Sequence, residues 1–136
     1  MRPLSFVLVL SLALVAAGCG ARSSAPYTAA GTVKCLKSKG FTGVTTNPVK
    51  VGFIAGVADN GGILATAPGG SNVVTIAFAG STAGAADTET AFKAHATPFY
   101  KKHMGDIMES QRNAVLVWQT SPTQQQIDAA LGCLGS

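Results

Sequence analysis

Val73-Val74-Thr75-Ile76-Ala77-Phe78-Ala79 is the stretch on which the fold turns. All but Thr75 are apolar, and a short run this uniform, bounded by turn formers, predicts a strand covered on both faces at the centre of a sheet. Before it, Pro68-Gly69-Gly70-Ser71-Asn72 predicts a turn and Ile63 to Ala67 a brief strand. Asp59-Asn60-Gly61-Gly62 predicts a further turn, because Asn and Gly tolerate the positive φ that tight turns demand. Further back, Val49, Val51, Phe53, Ala55 and Val57 alternate with smaller residues, the period of a strand with one heavier face. Thr42 to Thr46 reads as a short strand ahead of the Asn47-Pro48 turn. The expectation for 42–79 is an antiparallel meander.

Outward from the meander the period lengthens to that of helices. Ala29, Val33 and Leu36 make one stripe of a helix over 28–39, with lysines near its C-terminus and Gly40-Phe41 as its stop. Phe92, Ala96 and Phe99 make another over 87–104, with Asp87 as N-cap, a break at Thr97-Pro98 and an end at Gly105. A polar turn at 110–113 precedes an apolar strand, Ala114 to Gln119. Ser121-Pro122-Thr123-Gln124 predicts a capping box opening a last helix that buries Ile127, Ala130, Leu131 and Leu134. If the strands at 73–79 and 114–119 are parallel, the helix between them makes a right-handed crossover. The predicted class is α+β: a single small domain, a mostly antiparallel sheet with helices packed on one face, in the order helix, meander, helix, strand, helix.

The chain begins Met1-Arg2, and Leu4 to Gly18 carries no charge. That run is shorter than the roughly 20 residues a membrane-spanning helix needs and ends in small residues, the pattern of a secretory signal peptide. Ala16-Ala17-Gly18-Cys19 resembles the lipobox of bacterial lipoproteins, with Ala16 where a larger aliphatic residue is commoner. The resemblance implies cleavage before Cys19 and a diacylglycerol thioether on it, with two or three acyl chains, palmitate among them, anchoring the protein at the extracytoplasmic face of the cell membrane. The domain organisation that follows is a signal peptide over 1–18, a lipidated tether over 19–27 and an α+β domain over 28–136. The small polar run 20–26 reaches only about 25 Å when extended, which keeps the domain beside the membrane.

Removing residues 1–18 leaves 118 residues, enough for one domain and its core. Without Arg2, nine Lys and Arg face six Asp and Glu, a mild +3. Lys34, Lys37, Lys39 and Lys50 cluster but lack the interleaved aromatics of a nucleic-acid surface, so no nucleic-acid partner is expected. Of three cysteines, lipid on Cys19 leaves an even pair. In an oxidising compartment Cys35 and Cys133 are expected to form a disulfide, two buried free thiols being the alternative.

Chemistry-bearing residues are sparse. His95 and His103 are the only imidazoles, and eight residues is not the spacing of a shared metal on one helix. His103, Met104 and Met108 form a soft set that could hold Cu(I), although methionines beside Ile107 also suit a core. Gly80-Ser81-Thr82-Ala83-Gly84 reads as a loop between strand and helix that lacks the lysine of a P-loop. The six acidic residues fall in predicted turns or on helix ends and surfaces, which disfavours an enzyme; no catalytic residue, metal or cofactor is assigned. The expectation is a membrane-anchored lipoprotein with a non-enzymatic binding or envelope-interaction domain. Its partners are membrane lipid through Cys19 and an unidentified envelope protein or ligand. The alternative is a metal or small-anion carrier or enzyme using His95, His103 and the Gly80 to Gly84 loop.

Overall fold

The computed structural model describes residues 24–136, so the leader, Cys19 and most of the tether lie outside the described residues. The domain is α+β, built on one five-stranded antiparallel sheet in the order β1-β2-β3-β5-β4. The strands are β1 (Thr42–Thr45), β2 (Gly62–Thr66), β3 (Val73–Phe78), β4 (Met108–Gln111) and β5 (Ala114–Trp118). The helices are α1 (Ala29–Ser38), α2 (Phe53–Gly56), α3 (Thr82–His95), α4 (Pro98–Ile107) and α5 (Gln124–Leu131). As the apolar run predicts, β3 is central. It pairs with β2 through Ile63↔Ile76 and with β5 through Leu116↔Ile76.

Alternation along the paired strands sorts their side chains onto two faces. On the first, Ile63, Ala65, Val74, Ile76, Phe78, Ala114 and Leu116 pack against Leu36 of α1, Phe41, and Ala130 and Cys133 at the C-terminal end. On the second, Ala77 packs with Val51, Ala55 and Phe92, while Val115 packs with Ala79 and Ala85. Helices therefore cover both faces, not one. The reason is in the composition of the central strands, where both alternate sets are apolar and neither can face water.

Four local expectations change. The alternating segment 49–57 forms a turn and the short helix α2 rather than a strand. Every second residue is apolar there, but a period of two contains two interleaved sets with a period of four. Val51 and Ala55 are buried while Val49, Phe53 and Val57 are exposed. Gly52, at φ +88°, breaks any extended path between them. Next, Asp87 is not an N-cap: α3 starts earlier, where Ser81 Oγ accepts the Gly84 N–H at 3.0 Å, so the Gly80 to Gly84 stretch is a helix start. Residues 108–111 form the edge strand β4, which narrows the expected 110–113 turn to Arg112 and Asn113, and α4 runs through Gly105 to Ile107 and directly into β4. Finally, the α5 capping box sits two residues on, with Thr123 and Gln126 as its reciprocal partners. Because β3 and β5 are antiparallel, the crossover rule does not apply.

Two devices hold the ends of the chain. Cys35 and Cys133 form a disulfide with Cα atoms 5.2 Å apart, joining α1 to the residues after α5. Buried Asn113 accepts the Tyr27 N–H at 2.8 Å and donates to the Tyr27 and Ala79 carbonyls at 2.8 and 2.7 Å. Arg112, at φ 55°, donates to the Ser24 and Ala25 carbonyls and stacks 4.4 Å over the Tyr27 ring.

Helix α2 depends on a close approach to the sheet. A Cβ added at Gly62 would lie 2.7 Å from the Ala55 Cβ, besides meeting the Ala55 backbone. Gly62→Ala is therefore expected to push α2 off β2 and to cost about 1 to 3 kcal/mol, the usual range for overpacking. Urea unfolding of the variant reads this directly, and an unchanged midpoint would refute it.

Candidate functional site

Two apolar features lie at the surface of the second face. The first is the outer side of α2 and the turn before it. The turn is set by Asn47, whose side-chain oxygen accepts the Val49 N–H and whose carbonyl accepts the Lys50 and Val51 N–H groups. Val51 and Ala55 then plug into the core. This leaves Val49, Phe53 and Val57 at 91%, 80% and 65% exposure, three of the four exposed large apolar side chains among the described residues. Phe53 and Val57, one turn apart, lie on the same side of α2, and Val49 stands on the turn just before it, so the segment 49–57 carries an exposed apolar ridge. Single exposed apolar residues are ordinary, whereas a clustered set is characteristic of an interaction surface.

The second feature is a cleft of about 470 Å³ where α3 breaks into α4. The break follows from Thr97-Pro98: Pro98 lacks an amide proton, so α3 stops at His95 and α4 restarts at Pro98. Val73, Thr75 and Val117 of the sheet form one wall, with Phe92 of α3 and Tyr100 of α4 across from them. Met104, Ile107 and Trp118 are its buried residues, while His95, Thr97 and Gln119 stand exposed at its rim. No Asp, Glu, Lys or Arg borders it. Trp118 is 1% exposed, and its Nε1 is the one buried side-chain nitrogen or oxygen without a hydrogen-bond partner among the described residues.

The residues singled out in the sequence are distributed as follows. Cys35 and Cys133 are bridged. His103 is exposed, its ring 4.9 Å from that of Phe99 and its Nδ1 3.9 Å from Asp106. Met104 is buried in the main core, and Met108 lies in β4 against the core. Among the described residues no group of three or more His, Cys, Asp or Glu converges as a metal site.

The start of α3 already has its own carboxylate: Asp59 accepts the Gly80 N–H at 3.1 Å. Asp59, Asp87, Gly84 and His95 border a second depression of about 360 Å³ between α2 and α3. His103 is not part of it. Glu89 is engaged locally with Ser110 and Lys93, and Asp128 with Gln124.

Sequence reading found His95 but not the cleft around it. The signal that could have found it is the proline break itself, because two helices meeting at an angle over a sheet cannot both cover it fully. No helix among the described residues is long and apolar enough to cross a membrane. No protein-family model, curated protein or solved structure matches the chain.

Proposed function

We propose that this protein is a lipoprotein held at the extracytoplasmic face of the membrane through Cys19, and that its domain is a non-enzymatic binding module. It docks onto an envelope partner through the ridge of Val49, Phe53 and Val57. The observation that carries the reading is this exposed ridge on a turn whose inner side is fully committed to the core. The expected anchor places the ridge where an envelope protein can meet it. Burying such side chains favours association by roughly 25 cal/mol per Å² of apolar surface removed from water.

For the rival reading, a metal or small-anion carrier, His95 and Gly84 do border one depression. Asp59 and Asp87 border it too, and two carboxylates repel an anion.

The test has two arms in the native host. Val49→Ser/Phe53→Ser/Val57→Ser is expected to lose any protein that co-purifies with the wild type while unfolding within about 1 to 2 kcal/mol of it, since exposed substitutions each cost little. Cys19→Ala is expected to move the protein from the detergent phase to the aqueous phase. Retention of the same partner by the triple variant sinks the docking surface, and unchanged partitioning of Cys19→Ala sinks the anchor.

A further inference from the structure

We infer that the cleft between the sheet and the α3–α4 break is a binding site for an uncharged amphiphile, a molecule with a long apolar body and one hydroxyl or carbonyl end. Ile54 of α2 lines this cleft, but none of the ridge residues Val49, Phe53 and Val57 does.

The inference rests on how polarity is graded with exposure. Met104, Ile107 and Trp118 are buried, and Val73, Val117 and Phe92 half-buried, where they line the cleft, so an apolar body entering it leaves water for an apolar surface. His95, Thr97 and Gln119 are exposed at the rim, where a polar end would remain. The volume, about 470 Å³, falls in the range of small-molecule sites.

Charge selects among amphiphiles. With no Lys, Arg, Asp or Glu bordering the cleft, an ionised end group drawn inward would have no fixed counter-charge, and burying an unpaired ion is costly. A hydroxyl or carbonyl oxygen loses far less, and it finds partners. The side chains of Thr75, Tyr100 and Gln119 make no hydrogen bond to the described residues and are free to bond an oxygen.

Trp118 is the only tryptophan in the chain, so all tryptophan emission comes from a residue that lines the cleft. The experiment titrates the full chain carrying Cys19→Ala with 11-bromoundecan-1-ol, whose bromine quenches a nearby indole, and in parallel with 11-bromoundecanoate. Saturable quenching by the alcohol, at least tenfold tighter than by the carboxylate and reversed by unbrominated 1-undecanol, is expected. Ala96→Phe, which adds a ring at the cleft wall, is expected to weaken the alcohol at least tenfold. Absence of saturable or reversible quenching in the Cys19→Ala chain overturns the site, even if Ala96→Phe fails to fold. Equal quenching in a folded Ala96→Phe overturns its location, and equal affinity for the carboxylate overturns the preference for an uncharged end.

Discussion

Cys133→Ser, or reduction of the wild type, is expected to cost this domain about 4 to 5 kcal/mol, the chain-entropy figure for closing a loop of nearly a hundred residues. The bridge spans a sequence separation of 98 residues, so in the unfolded state it restrains almost the whole described chain. The folded state loses as well. Cys133 is 3% exposed and belongs to the main core, so a serine there places a hydroxyl among apolar neighbours. A small domain has only about 5 to 15 kcal/mol of stability in total. The thermal midpoint should therefore fall by roughly 15 °C or more, at several degrees per kcal/mol. Calorimetry with and without reductant checks this, and a loss under about 1 kcal/mol would mean that the unfolded chain is already compact.

Asn113→Ala has the second largest expected effect, about 3 kcal/mol. The side chain is 2% exposed and makes three hydrogen bonds, two to Tyr27 and one to Ala79. Truncation removes these bonds, and breaking a buried hydrogen bond from one side costs more than the bond contributed. The Ala79 carbonyl keeps one donor, Asn60 Nδ2 at 2.9 Å, which limits the loss. Urea unfolding measures the total, and hydrogen exchange at the Tyr27 amide localises it. Protection of that amide unchanged from wild type would refute the assignment.

The architecture was legible where one physical pattern stood alone. The run at 73–79 has no helical reading that also explains its flanking turns, and it is the central strand. The disulfide followed from counting thiols once Cys19 was set aside. Gly40 stops α1 at φ +86°, and the Phe41 N–H bonds to the Leu36 carbonyl, as the Gly-Phe pair suggests.

What failed had two patterns in the same letters. Residues 49–57 satisfy period two and period four together, and only the positive φ of Gly52 chooses. Met108 to Gln111 is too polar to read as a strand, because it is an edge whose pairing is with backbone. The α2 ridge was hidden by the first ambiguity. The cleft was hidden because the helix break at Thr97-Pro98, legible by itself, makes a cleft only over a sheet register that is not local.

The disulfide and the contacts around it also determine how the domain would bear tension. The Thr28 N–H bonds to the Gly135 carbonyl at 2.8 Å, and Gly135 donates to Thr32 Oγ1, so the two ends of the described chain lie side by side. A pull applied across those ends runs through the short arms outside Cys35 and Cys133 and then through the sulfur cross-link. The whole sheet hangs inside that covalent ring as a slack loop, carrying none of the force until a bond between sulfurs gives way.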